Sequence, residues 1–210
     1  MNADTVLIIF LKFPEKGMVK TRLARDLDDD FVLDLYKGFI CDLLAMTGPS
    51  YHSRIYVWPR EKLAALQQML NRPAVLYPQQ KGHLGEKMAH AFEQTFRSGA
   101  DKALLIGSDI PEITGDILEA ACQVLTHKQA VIGPAGDGGY YLIGFRKESF
   151  CADLFEAVDW SGSKVLAQTL SRMDRFNISA GQVVQLEDID VLSDLDALLH
   201  RVKNGATVGS

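Results

Sequence analysis

Four stretches of this 210-residue chain carry side chains that could do chemistry on an anion. Residues 12–25 (KFPEKGMVKTRLAR) gather five cations, Lys12, Lys16, Lys20, Arg22 and Arg25, around turns at Pro14 and Gly17. A loop of this kind, leading toward a helix, can aim flexible cations and backbone N–H groups at one phosphate chain. It is not a Walker A loop, because Val19 stands where glycine must precede Lys20-Thr21, and no G-x-G-x-x-G is present. The same residues also suit a solvated basic loop.

The other three stretches are acidic or glycine-rich. In residues 107–111 (GSDIP), Asp109 follows a predicted strand and precedes a proline. A carboxylate there points into the crevice at the strand end, where a divalent cation could bridge it to phosphate oxygens; a turn or helix-capping Asp would look the same. Residues 133–139 (GPAGDGG) hold four glycines around Asp137, a composition that lets backbone approach a ligand closely or simply builds a hairpin turn. Residues 187–190 (EDID) put three carboxylates in four positions, and extended backbone would place Asp188 and Asp190 on one side.

The elements that must position these residues alternate. Residues 6–11 (VLIIFL) form a continuous branched apolar run, the pattern of a strand buried on both faces of a parallel sheet. Helical spacing follows at 28–46, then a strand at 54–58, a helix at 61–70 and a short strand at 74–77. A helix at 84–96, a strand at 103–106 and a helix at 114–125, with Thr114 as N-cap, complete the regular part. Strands are predicted at 130–132 and 140–145, the latter a candidate antiparallel strand, then a helix at 165–173, a strand at 183–186 and a helix at 195–202. The rhythm predicts a three-layer α/β/α fold with a mostly parallel central sheet, a single domain over 1–203 and a frayed tail at 204–210. In such sheets ligands bind at the carboxyl ends of the strands, and all four stretches fall there.

Composition removes several classes. Lys plus Arg number 22 against 27 Asp plus Glu, a formal charge of -5, which argues against a nucleic-acid binder, whose affinity rests on excess cationic surface. Cys41, Cys122 and Cys151 are far apart and in no metal-ligand or disulfide pattern, and His52, His83, His90, His127 and His200 are not spaced as ligands. The run at 6–11 is too short for a membrane span and has no signal-peptide flanks, so a cytoplasmic protein without a membrane anchor is expected. The oligomeric state is left open.

With these residues in view, the chain resembles the small bacterial transferases of the glycosyltransferase-A type, the DUF2064 family. The resemblance rests on FPEKGMVKTRLA (13–24), KGHLGEKMAHAF (81–92), LLIGSDIPEIT (104–114), GPAGDGGYYLIG (133–144), VDWSGSKV (158–165) and LEDIDVLSDL (186–195). It implies a glycosyltransferase-A, nucleotide-diphospho-sugar transferase type of fold. It also implies a nucleotide side made by Lys16, Gly17, Lys20, Arg22, Gly85, Glu86 and Ser108. Asp109 and Asp190 would hold Mg²⁺ (or Mn²⁺), and Asp137, Gly138, Gly139, Tyr140 and Trp160 would face the sugar or acceptor. Two departures stand out: residues 190–194 read Asp-Val-Leu-Ser-Asp where related nucleotidyltransferases have an Asp-Thr-Pro-Glu-Asp-like ending, and Trp160-Ser161-Gly162 replaces Trp-Ser-Thr.

Two reactions fit this resemblance. In the first, a hydroxyl of a small acceptor attacks the anomeric carbon of a nucleotide-diphospho-sugar, with Lys20 and Arg22 on the diphosphate and Asp137, backed by Asp159, as base. In the second, a phosphorylated acceptor attacks the α-phosphate of a nucleoside triphosphate and expels pyrophosphate. Asp109 in Asp-x-Pro, and the likeness of Lys20-Thr21-Arg22-Leu23 to the Lys-Ser-Arg-Leu of phospholactate guanylyltransferases, favour the second; the whole-chain resemblance favours the first. A non-catalytic nucleotide-binding module is the third reading.

Overall fold

A computed structural model describes residues 5–48 and 51–203 of the chain. The first strand, β1 (Thr5–Lys12), is buried except at Lys12. Alternation along it sends Leu7, Ile9 and Leu11 into one core and Val6, Ile8 and Phe10 into the other. The first core is closed by α1 (Asp29–Met46), α4 (Gly115–His127) and α6 (Leu192–Lys203), the second by α3 (Leu84–Arg97) and α5 (Val165–Arg175). A strand apolar on both sides therefore becomes an interior strand with helices above and below, as the sequence predicts.

The remaining strands are β2 (His52–Trp58), β3 (Leu76–Pro78), β4 (Lys102–Gly107), β5 (Ala130–Pro134), β6 (Tyr140–Arg146) and β7 (Ala180–Gln182), with α2 (Leu63–Leu70) between β2 and β3. Among the described residues the strands make one seven-stranded sheet in the order β3-β2-β1-β4-β6-β5-β7. Among the described residues β6 alone runs antiparallel to its neighbours, β4 and β5. The cause is chain length: residues 135–139 suffice for a hairpin and are too few for a crossover. This is the three-layer, mostly parallel α/β fold that the sequence implies.

Local signals set several boundaries. Asp28 caps α1, its carboxylate accepting from the N–H groups of Asp30 and Phe31, and Thr114 caps α4 through Ile117. The predicted helix at 61–70 begins instead as a 3₁₀ turn at Arg60–Lys62. The third strand lies at Leu76–Pro78 rather than 74–77. The strand expected at 183–186 is the largest correction: pairing with β5 fixes Ala130 opposite Ala180, so β7 ends at Gln182. Val183 still donates to the Ile132 carbonyl, but the chain then leaves the sheet, Val184 is exposed, and only Leu186 rejoins beside Ala135. The predicted tail at 204–210 lies outside the described residues.

The second core is built on aromatic rings. Phe92 of α3 is fully buried and meets Phe145 edge-on at 5.1 Å, with Phe150 and Phe155 at 5.3 and 6.3 Å. Phe92→Ala is expected to lower the free energy of unfolding by about 3–5 kcal/mol through lost burial and the cavity left behind. Urea unfolding with an unchanged m-value measures it.

Candidate active site

The carboxyl ends of β1 and β4, together with the β5–β6 turn, surround a cleft of about 620 Å³. A buried phenol braces its floor. Tyr36 of α1 donates to the Lys12 carbonyl at 2.9 Å and accepts from the Ser108 hydroxyl at 2.9 Å, joining the end of β1 to the end of β4. Burial, with the Asp109 charge nearby, pushes the Tyr36 hydroxyl far above its ordinary value, so it stays a neutral donor. Ser108 is itself buried and lines the cleft.

The residues of the basic loop divide. Lys20 sits in left-handed backbone (φ +46°), and its side chain is 4% exposed. Its ammonium lies 3.2 Å from Asp190 Oδ1, 3.7 Å from Asp109 Oδ2 and 3.5 Å from the Asp109 carbonyl oxygen. Arg22 reaches the other Asp190 oxygen at 3.3 Å. Lys20, Arg22, Asp109 and Asp190, separated by up to 170 positions, thus form one junction, in a smaller pocket of about 200 Å³ that shares Lys12, Arg22, Tyr36 and Asp109 with the cleft. Lys16 turns away to an exposed pair with Asp30 at 2.7 Å, and Gly17 supplies the turn before it reaches the junction, with φ +72°.

Two further devices hold the junction. Asp194, in the first turn of α6, accepts from the backbone N–H groups of Asp190 and Val191, both at 2.9 Å, and so fixes the Asp190 backbone. Its reach also starts α6 at Leu192, ahead of the predicted residue 195. Glu112, three residues beyond Asp109, is gripped by Arg201 of α6 through two bonds of 3.0 and 2.7 Å. Glu112 is 16% exposed, so Arg201→Met leaves a mostly buried carboxylate unpaired. That change is expected to cost about 2 kcal/mol, a fall of roughly 4–8 °C in melting temperature; adding Glu112→Gln should restore part of it.

The opposite wall carries carboxylates and hydroxyls. Asp137 is exposed at the rim, and its Oδ1 accepts from the Gly139 N–H at 2.7 Å, which holds the β5–β6 turn. Gly138 has φ +89°, a Cβ there would collide with the Ser163 carbonyl oxygen, and its own carbonyl accepts from Leu166 at 2.9 Å; the turn is thereby docked on the start of α5. Tyr140 and Trp160 pack edge to face at 6.5 Å along this wall. Burial raises the Tyr140 and Tyr141 hydroxyls far above their ordinary value. Asp159 spends one oxygen on the Ser161 backbone and hydroxyl, at 3.2 and 2.8 Å.

Gly85 and Glu86 are not in this cleft. A Cβ on Gly85 would lie 2.7 Å from the Trp160 ring, so the glycine lets α3 pack behind that wall, and Glu86 closes a capping box with His83. Both line a separate surface depression beside Phe155.

The cleft also holds two residues to which the sequence reading assigns no role, although it sets Asp188 beside Asp190. Asp188 lines it, and burial, then the charges of Asp190 and Asp137, push its carboxyl up to about 6. The Asp-Ile-Asp alternation was the signal for it, with Ile189 fully buried between the two carboxylates. Gln79 lines the other end, its amide donating to the Tyr56 carbonyl at 3.0 Å, and no spacing in the sequence pointed to it.

The donor set at the junction can be tested against a divalent ion. Among the described residues no group of three or more His, Cys, Asp or Glu side chains is arranged to hold a metal. Two carboxylates do converge on one cation, the Lys20 ammonium. Two hard oxygen ligands, with phosphate and water oxygens completing the shell, suit Mg²⁺ or Mn²⁺ and not a thiolate- or imidazole-seeking ion. The residues fit such an ion if the ligand supplies phosphate.

Comparison with known proteins places this geometry. Residues 44–162 match the family model described as "Uncharacterized protein conserved in bacteria (DUF2064)". The crystal structure of a "putative nucleotide-diphospho-sugar transferase" from Desulfovibrio desulfuricans G20 superposes with a TM-score of 0.92 at 35% identity, over 97% of this chain and 90% of that one. A cytidylyltransferase from Leptospira borgpetersenii serovar Hardjo-bovis has a TM-score of 0.59 at 9% identity, covering 99% and 90%. The 4-diphosphocytidyl-2C-methyl-D-erythritol synthase of Anaerococcus prevotii DSM 20548 gives 0.57 at 9%, covering 95% and 96%. These last two share the fold alone. No curated protein sequence matches the chain.

Proposed function

The chain belongs to the DUF2064 family of bacterial proteins, and from that premise we propose that it is a transferase that moves a sugar from a nucleotide-diphospho-sugar to a hydroxyl of a small acceptor. The observation that carries this choice is the asymmetry of the cleft. Cations Lys12, Lys20 and Arg22 stand on the side of the loop after β1. The wall from Asp137 and Gly139 through Trp160 to Val165 offers Asp137, Ser161 and Ser163, and Asp188 lines the same cleft. A hydroxyl-rich sugar or acceptor suits such a wall, whereas a phosphate monoester would meet carboxylates there.

In this reading Lys20 and Arg22 bind the diphosphate oxygens through charge-assisted hydrogen bonds. The acceptor oxygen bonds to the anomeric carbon, the bond from that carbon to the diphosphate oxygen breaks, and the nucleoside diphosphate leaves with the electron pair. The acceptor proton passes to Asp137, whose second oxygen is not needed by the Gly139 turn. Tyr36, Tyr140 and Tyr141 do not compete for that role, because burial keeps them protonated. Mg²⁺ or Mn²⁺ on Asp109 and Asp190 would supply neutralisation of charge on the departing diphosphate. The aromatic pair Tyr140–Trp160 gives a sugar ring an apolar face.

Nucleotidyl transfer from a nucleoside triphosphate is the second reading, favoured by Asp109 in Asp-x-Pro and by Lys20-Thr21-Arg22-Leu23. Phosphorus NMR of the protein with Mg²⁺, a panel of nucleotide-sugars and a panel of nucleoside triphosphates separates the two. Release of nucleoside diphosphate from one nucleotide-sugar is expected; release of pyrophosphate from a triphosphate with a phosphorylated acceptor would replace it with the second reading. A cytoplasmic location belongs to the same proposal. Among the described residues no helix is long and apolar enough to cross a membrane.

A further inference from the structure

We infer that Lys20 is a place-holder cation: its ammonium takes the position between Asp109 and Asp190, and a divalent ion enters only together with an anionic diphosphate that draws Lys20 and Arg22 onto its own oxygens. The inference rests on the reading of the cleft as a diphosphate site and adds an order of binding to it.

The geometry carries the argument. The Lys20 side chain is 4% exposed, and a charge so far out of water is retained only where partners surround it. Two acceptors lie within its hydrogen-bond reach, Asp190 Oδ1 at 3.2 Å and the Asp109 carbonyl at 3.5 Å, and Asp109 Oδ2 stands at ion-pair distance, 3.7 Å. Arg22 holds the remaining Asp190 oxygen at 3.3 Å. Each of the two carboxylates already faces a cation, so a divalent ion arriving alone competes with, and is repelled by, an ammonium bound to the same oxygens. To displace Lys20 it would have to leave that ammonium buried without a partner.

A diphosphate changes both terms. It brings anionic oxygens that pair with Lys20 and with Arg22, whose side chain is 61% exposed and is held at the junction by one Asp190 oxygen. The carboxylates are then released with their negative charge, and the Asp190 backbone stays in place because Asp194, not the cations, holds it. Ion and diphosphate therefore raise each other's affinity by the same factor.

The test uses Mn²⁺ alone, its free concentration read from its electron paramagnetic resonance signal, with inorganic pyrophosphate as the base-free probe. Wild-type protein is expected to bind Mn²⁺ alone weakly and Lys20→Met at least about tenfold more tightly, while Lys20→Arg, which keeps the cation, stays weak. Lys20→Gln serves as a second charge-removing variant should Lys20→Met fail to fold. Pyrophosphate should raise the Mn²⁺ affinity of the wild type more than that of Lys20→Met. Equal affinity of wild type and both charge-removing variants for Mn²⁺ alone, with pyrophosphate still binding, would overturn the place-holder role and leave the diphosphate site standing. Absence of pyrophosphate binding, with and without Mn²⁺, would overturn both.

Discussion

Asp109→Asn is expected to lower kcat/KM by about 10²- to 10³-fold and to leave the protein folded. The size follows from removing one carboxylate that would hold the ion neutralising charge on the leaving group, a loss comparable to that of one preorganised electrostatic contact, roughly 3–4 kcal/mol. The fold tolerates the change for a separate reason. The Asp109 side chain is 57% exposed and its distance to the Lys20 ammonium is 3.7 Å, so as an ion pair it contributes about 1 kcal/mol at most to stability. Asparagine keeps the shape, and the backbone carbonyl of residue 109 still accepts from Lys20. Steady-state kinetics on the donor found by phosphorus NMR, paired with a thermal melt, separates the two effects; an unchanged kcat/KM would remove Asp109 from the reaction.

Lys20→Met produces the second large effect, in two opposite directions. Transfer is expected to fall by about 10²-fold or more, because in the proposed site the Lys20 ammonium is more buried than the Arg22 guanidinium, at 4% against 61% exposed. Affinity for Mn²⁺ alone is expected to rise, because Asp109 and Asp190 lose the ammonium they share and Arg22 keeps only one Asp190 oxygen. Methionine adds no backbone penalty that lysine does not already carry at φ +46°, and its side chain suits a position that is 4% exposed. Arg22→Met is expected to cost less, about tenfold, since Arg22 is 61% exposed and touches one Asp190 oxygen. The ordering Lys20 above Arg22 is checked by kcat/KM of the two variants under the same metal concentration.

Much of the scaffold was legible in the sequence because short-range physics writes it there. The run at 6–11 is apolar at every position, and only an interior strand between two helical layers buries both of its faces. Asp28 and Thr114 announce their helices through their own side chains. The turn 135–139 is too short for a crossover, and so it dictates the antiparallel β6. Where an edge strand ends is decided by its partner, and residues 183–186 have strand composition yet lie beyond the reach of β5.

The site divides in the same way. Sequence gathered stretches that do meet in space, since the parallel sheet brings its strand ends together, and its candidates included Asp109, Lys20, Arg22 and Asp190, which lie together in the structure. It could not pair them: the Lys20–Asp109 contact spans 89 positions and the Lys20–Asp190 contact 170. Glu112 with Arg201 is invisible for the same reason, as is Tyr36, which reads as one more apolar residue on a helix. Lys16, Gly85 and Glu86 stand inside matching motifs, yet Lys16 is drawn to Asp30, Gly85 is needed under Trp160, and Glu86 is spent on a capping box. Motif membership does not distinguish a residue that faces the cleft from one that builds its wall.

The most direct test of the central claim, that the Lys20–Asp109–Asp190 junction is a metal-assisted diphosphate site, is a thermal-shift titration of wild type and Asp109→Asn with nucleotide-sugars, with and without Mg²⁺. A ligand at about a hundred times its dissociation constant stabilises the native state by about 2.7 kcal/mol, or roughly 5–10 °C for a chain of this size. The account predicts such a shift for the wild type with Mg²⁺ and one nucleotide-sugar, much reduced without the metal and in Asp109→Asn. An equal shift in both proteins, with the metal present or removed, would contradict it.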